Sequence, residues 1–272
     1  GSTFFADIFS NTISLGGRNL VTGFFTDVTQ RHENQEALLS SNAELKKINT
    51  ELDNFVYSVS HDLRSPLLAI QGLIQLINSP ASSDAENTRN YLSMVNASIN
   101  RMDDTIKEIL EYSRNARLAI QKEEIDFRKL VEGIFDDVKH IYPNSIDLEL
   151  IIDCEYPFYS DPFRITTLFK NIISNAVKYQ RRGPEQSFVK IHICADPEKV
   201  KLRFEDNGEG IGPEHLDKIF DMFYRASNSS VGTGLGLYIC REIVNNLGGQ
   251  ISAASIPGKG SVFTVVLDNL NH

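Results

Sequence analysis

No run of apolar residues in this 272-residue chain approaches the roughly 20 needed to span a bilayer, and no signal peptide is visible. Basic charge is also in short supply. The 27 Lys and Arg residues stand against 36 Asp and Glu, and the resulting net charge of −9 argues against nucleic acid or anionic membrane as the main partner. Cysteine is scarce, with three residues (Cys154, Cys194 and Cys240), odd in number, without CxxC spacing and set in apolar segments. Such thiols are expected to be reduced core residues of a cytosolic protein, which excludes a disulfide framework and a zinc site. The six histidines show no metal-ligand spacing. What remains is 41% hydrophobic and 23% charged, the balance of a soluble globular protein with room for two modest domains, or one domain plus long helices.

The chain changes texture three times. Residues 3–29 alternate apolar and polar about Gly16-Gly17, which predicts a β-hairpin over residues 1–30. A hairpin alone is marginal, so it is expected to be the end of a larger domain or to pair with another chain. Over residues 31–60, Leu38, Leu45, Leu52 and Val59 recur every seven positions with Ile48 and Phe55 between them, the seam of a parallel coiled coil weakened at Ser41. The spacing of four and three continues past Pro66 as Leu63, Leu67, Ile70, Ile74 and Ile77, until Asn78-Ser79-Pro80 breaks the helix. A second helix carries Leu92, Val95, Ile99, Met102, Ile106 and Ile109 at the same spacing. Two such helices over residues 55–118 predict an antiparallel hairpin whose apolar face is covered in a dimeric four-helix bundle. Over residues 122–270, strand-like runs (DLELII, FVKIHIC, KVKLRF, GGQISAAS, SVFTVVL) interleave with helical ones without a steady βαβα repeat, which predicts an α+β sandwich with helices on one face of a mixed sheet.

Three polar clusters interrupt this last region. NIISNAVKYQ puts Asn171 and Asn175 on one helical face, with Lys178 three residues on and Tyr179 beside it. An Asn carbonyl suits Mg²⁺ and a Lys suits phosphate, although a solvated helix face reads as well. DNGEGI, from Asp206 to Ile211, follows a strand; its carboxylate can accept from an amino group and its glycines allow close approach, but alone it is most simply a turn. GTGLGL, from Gly232 to Leu237, opens a helix and exposes successive N–H groups to an anion. Before it, MFYRASNSSV reads as a lid over nucleotide. A fourth stretch, SVSHDLRSPL, places His61 two residues past Val59, rotated about 200° from the seam and toward solvent.

Taken together these segments resemble the sensor histidine kinases of two-component signalling, over roughly residues 31–268. SHDLRSPL resembles the phosphoacceptor box, NIISNAVKYQ the N box, DNGEGIG the G1 box, IFDMFYR the F box and GTGLGL the G2 box. LVTGFFTDVTQR resembles the segment leading from a PAS-type sensor into its signalling helix. The fold that the resemblance implies is a coiled coil and dimeric four-helix bundle followed by a GHKL-type (Bergerat) ATP-binding sandwich. The activity it implies is ATP-dependent autophosphorylation of His61, then transfer to an aspartate of a response-regulator receiver domain. Asp62 would orient the ring and take its proton. Pro66, lacking an N–H, would kink the helix.

In the same resemblance Asn175 would ligate Mg²⁺, Asn171 and Lys178 would support the phosphates, and Asp206 would read the adenine amino group. Gly208, Gly210, Ile211, Tyr179, Phe220, Phe223, Arg225, Gly232, Thr233, Gly234, Leu235 and Gly236 complete the expected ATP site, the two Phe residues at a lid hinge unless they are plain core. ATPases similar in fold place a Glu where this chain has Asn171, and Asn cannot activate water. Ser65 stands where phosphatase-competent relatives carry Thr or Asn, which leaves that activity open. The competing readings are a dimeric nucleotide-binding scaffold without transfer and an ATP-hydrolysing machine.

Overall fold

The computed structural model describes residues 4–16, 18–79, 85–141, 146–181, 186–226 and 233–271. Two units emerge, residues 1–58 and residues 59–272.

The first unit opens with strands β1 (Ala6–Leu15) and β2 (Arg18–Asp27), antiparallel and in register from Ala6 opposite Asp27 to Leu15 opposite Arg18. The expected hairpin is present. Gly16 turns the chain with φ 57°, and Gly17 lies outside the described residues. Helix α1 (Thr29–Ile77) begins directly after β2. Asp27 starts it by accepting from the Thr29 backbone N–H at 2.9 Å and from its hydroxyl at 2.6 Å, while the same hydroxyl accepts from Phe5 N–H. The Thr29 bonds hold the Asp27 carboxyl below its ordinary range.

Helix α1 continues without interruption through Pro66 and ends at Ile77, one residue before the expected break; Pro80 falls outside the described residues. Helix α2 (Ala85–Arg117) follows. The two helices share a groove lined by Ala69, Leu73, Leu76, Met94 and Ala97. Their apolar positions divide into two sets. Leu63, Ile70, Ile77, Val95, Met102 and Ile109 are half-buried, whereas Leu67, Ile74, Leu92, Ile99 and Ile106 are exposed. Each set repeats every seven residues, so each forms its own stripe.

The remainder is an α+β sandwich. Its elements are β3 (Glu123–Glu124), α3 (Phe127–Ile141), β4 (Ile146–Cys154), β5 (Tyr159–Ser160), α4 (Pro162–Lys178), β6 (Ser187–Ala195), β7 (Lys199–Asp206), α5 (Pro213–Leu216), α6 (Gly236–Asn246), β8 (Gln250–Ile256) and β9 (Gly260–Asp268). Five strands form one sheet in the order β4-β6-β7-β9-β8, with β4 and β6 parallel and the other pairs antiparallel. Burial alternates along β6, where Val189, Ile191 and Ile193 point to the core and Lys190, His192 and Cys194 away from it. The core joins that face to α4 and α6 through Ile165, Leu168, Phe169, Ile173, Ile239 and Ile243. β3 and β5, which the sequence pattern did not reveal, form a separate two-stranded ribbon. Of the three cysteines only Cys240 is a fully buried core thiol; Cys154 is half-buried and Cys194 is exposed, because it alternates onto the outer face of β6.

Candidate active site

Local sequence sets the frame. Asp161 caps α4 by accepting from Arg164 N–H at 2.9 Å, and Pro162 occupies the first turn, where its missing N–H costs nothing. The helix then carries Asn171 and Asn175 on one face and ends at Lys178, with Tyr179 as its cap. Asn171 packs against the start of α6, its Oδ1 3.1 Å from where a Gly236 Cβ would stand. Asn175 and Lys178 are half-buried.

Asp206 ends β7. Its Oδ1 accepts from Gly208 N–H at 2.8 Å and from Ser261 N–H at 3.3 Å. Oδ2 has no hydrogen bond among the described residues and is the oxygen that remains to accept another donor. Burial pushes the Asp206 carboxyl above its ordinary range, against the pull of these two N–H groups.

The glycines of DNGEGI are taken up by contacts within the chain. A Cβ on Gly208 would stand 2.6 Å from the Tyr179 carbonyl oxygen, and one on Gly210, which has φ 72°, 2.2 Å from the Ile256 carbonyl oxygen. Glu209 N–H donates to that same Tyr179 carbonyl at 2.9 Å, and Ile211 N–H to Ser255 Oγ at 2.7 Å. The cap of α4 and the Asp206 turn are thus joined backbone to backbone.

GTGLGL does open a helix, since α6 begins at Gly236. Leu235 is fully buried and its N–H bonds the Thr233 hydroxyl at 3.1 Å. Gly232 lies outside the described residues. Gly234, at φ 79°, meets Phe223 so closely that a Cβ there would stand 2.7 Å from the Phe223 carbonyl carbon. Phe223 itself has φ 62°, the left-handed region that a bulky residue enters only under packing constraint. Phe220 is a core residue, edge-on to Phe263 at 6.5 Å. Arg225 is exposed but close enough to Lys178 to repel it. Burial, the larger effect, pushes the Lys178 amine down.

His61 stands apart from these groups in the chain, on α1. Its side chain is 70% exposed, as its rotation off the seam predicts, and its Nδ1 lies 3.2 Å from Asp62 Oδ1. In the tautomer that donates Nδ1–H to that carboxylate, Nε2 keeps its lone pair. Ser65 is exposed one turn further on.

Two features had no signal in the sequence. Glu108 on α2 accepts a hydrogen bond from the Thr233 hydroxyl, 125 positions away. Asn115, also on α2, is buried against Arg164 at the start of α4. Each lies on a helix face that reads as solvated when only the local pattern is seen.

Residues 160–271 match the profile of the histidine kinase-, DNA gyrase B- and HSP90-like ATPases, and residues 51–117 match that of the His kinase A (phospho-acceptor) domain. Sensor protein kinase WalK of Staphylococcus aureus is 33% identical over 239 residues, covering 85% of this chain and 57% of that protein. WalK of strain JH9 is covered to 39%. The chain thus spans about half the length of the curated relatives it matches. Among solved structures, the histidine kinase AdeS of Acinetobacter baumannii is 26% identical with a TM-score of 0.59, over 78% of this chain and 98% of that one. The histidine kinase ThkA, solved in complex with response regulator protein TrrA, shares the fold with a TM-score of 0.66 at 23% identity, over 96% of this chain and 78% of that one.

Proposed function

The chain belongs to the sensor histidine kinases, and from that membership we propose that it moves the γ-phosphoryl group of ATP onto His61 and then onto an aspartate of a response-regulator receiver domain. The observation that carries this reading is the exposed His61 imidazole with its Nδ1 engaged by Asp62. Nε2 attacks the γ-phosphorus, the bond to the ADP oxygen breaks, and the ring becomes cationic. Its Nδ1 proton passes to Asp62 and on to solvent.

The remaining groups position the nucleotide. Asp206 Oδ2 accepts from the adenine amino group, Lys178 and the N–H groups at the start of α6 face the phosphates, and Asn171 supports them from α4. Among the described residues no three His, Cys, Asp or Glu side chains converge on a cation. Asn175 would hold Mg²⁺ through its amide oxygen, and the ion would supply neutralisation of phosphate charge. Asn171 carries no carboxylate to activate water, which favours phosphoryl transfer over hydrolysis. Ser65 is exposed on the turn after His61, within reach of a water beside a phosphorylated ring.

The exposed stripe of Leu67, Ile74, Leu92, Ile99 and Ile106 supports a homodimeric four-helix bundle over residues 55–118. Leu38, Leu45 and Leu52, likewise exposed, support a coiled coil over residues 31–60, with the hairpin of residues 1–30 as the end of a PAS-type sensor and residues 122–270 as the ATP-binding domain. Among the described residues no helix is long and apolar enough to cross a membrane, and the kinase core is assigned to the cytoplasm, where ATP and receiver domains meet it. Incubation with Mg²⁺ and γ-labelled ATP, beside His61→Gln, tests the reading. Label that is acid-labile, base-stable and lost in the variant supports it. Nucleotide binding without label indicates the scaffold instead.

A further inference from the structure

One face of α2 is acidic where it meets the ATP-binding fold. Asp104 and Glu108 are four residues apart, and Glu111, Tyr112 and Asn115 continue the same side of the helix. The neighbours across from them are basic or hydrogen-bond donors. Thr233 donates to Glu108, Lys178 attracts both Glu108 and Asp104, and Arg225 lies beside Lys178. Tyr112 packs on Tyr238 at 5.8 Å, and Arg164 holds Asn115 two turns beyond Glu108. Glu108 is therefore delivered to its position by a helix already fastened at its C-terminal end.

A carboxylate there is expensive. Burial pushes the Glu108 carboxyl up, and only Thr233 and Lys178 act in its favour, against Glu111 and Asp104. It is held by the Thr233 hydroxyl just before α6 and drawn by the Lys178 ammonium at the end of α4. Those are the donors a phosphoryl oxygen takes.

We propose that Glu108 is a built-in phosphate mimic, whose carboxylate occupies on Thr233 and Lys178 the ground needed by nucleotide phosphates, so that docking of the Glu108 turn of α2 and binding of the phosphates exclude each other. This rests on the reading of Asp206, Lys178 and Thr233 as an ATP site. ATP and ADP must displace Glu108 to bind fully. Adenosine, which reaches Asp206 but carries no phosphate, does not. The phosphates thereby release the Glu108 turn of α2, while Arg164 keeps the C-terminal end of the helix fastened.

The test is calorimetric titration of the full chain and of Glu108→Gln with ATP, ADP and adenosine. Removing a charged competitor from a hydroxyl and an ammonium raises affinity for ATP and ADP about tenfold. Adenosine affinity stays within about twofold, since its contacts are untouched. ATP affinity that is unchanged or lower in the variant, or a gain shared equally by adenosine, overturns the mimic. Failure of the wild-type chain to bind any of the three overturns the ATP site and the mimic with it. Hydrogen exchange on the wild-type chain makes a second test that needs no variant. ATP, and not adenosine, speeds exchange of the amides of residues 104–111; equal protection with both ligands overturns the proposal.

Discussion

Arg164 and Asn115 stand 49 positions apart in the chain and are joined by two hydrogen bonds of 2.9 Å, from Nε to the Asn115 side-chain oxygen and from Nη2 to its backbone carbonyl. The same guanidinium donates to Leu118 O at 2.6 Å and to Asp161 at 2.7 Å, while Asp161 also accepts from Gln121 N–H at 2.9 Å. The open C-terminal carbonyls of α2 are thus capped by the first turn of α4. Arg164→Met removes the buried cation paired with Asp161, which costs about 3–5 kcal/mol. Thermal unfolding followed by circular dichroism is expected to move down by about 10 °C for a unit of this size. Asn115→Ala should cost less, about 1–3 kcal/mol, because Asp161 keeps its partner. A shift of under about 2 °C for Arg164→Met would show that the pair is dispensable.

Asp62 is expected to matter for rate rather than for folding. Asp62→Asn keeps the shape but removes the proton acceptor, so autophosphorylation should slow about 100- to 10,000-fold with the melting temperature unchanged. Single-turnover labelling at saturating ATP checks this; an unaltered rate would assign the proton to solvent directly.

Asp206 separates binding from stability. Asp206→Asn relieves a buried charge, so the fold should be no less stable, yet the loss of a charge-assisted bond to adenine should weaken ATP about 10- to 150-fold. Fluorescence titration with an ATP analogue alongside a melting curve measures both. Loss of fold and loss of binding together would count against the adenine role.

The pH dependence of stability carries a sign of its own. Burial holds the carboxyls of Glu108, Glu111 and Asp206 above their ordinary range, opposed by Thr233 and Lys178 at Glu108, by Lys170 and Arg114 at Glu111, and by two backbone N–H groups at Asp206. Asp104 and Glu111 add to the rise at Glu108, and Glu205 to that at Asp206. A raised folded pKa means that the native state binds protons more tightly than the unfolded chain. The stability it contributes is full below the unfolded carboxyl pKa, near about 4, and is lost as pH climbs through the raised folded values. Melting temperatures of Glu108→Gln relative to wild type should therefore rise as pH climbs above the unfolded carboxyl pKa, until the raised folded value has been passed. A difference that stays flat with pH would mean that burial is not the dominant influence on Glu108.

Much of this is legible in the sequence alone. Apolar residues at spacings of three and four marked α1 and α2, alternation marked β6 and β7, and the polar clusters around Asn171, Asp206 and Thr233 stood out as a candidate site, because each is a local pattern. Glu108 and Asn115 were not legible. A charged or amide residue on an amphipathic helix has the signature of a solvated face, and only the return of the chain 125 or 49 positions later covers it. Cys194 failed for the opposite reason, an apolar neighbourhood in sequence concealing an outward register in β6. The glycines at 208 and 210 were legible as close approaches, but the partner they approach most closely is the chain itself.

Two left-handed residues pressed together make a clasp. Gly234 admits no side chain, because a Cβ there would stand 2.7 Å from the Phe223 carbonyl carbon. Phe223 in turn holds a backbone angle of φ 62° that a bulky residue keeps only while its surroundings impose it. Loosening either half of the clasp frees the other, so a substitution at position 234 is felt first at position 223.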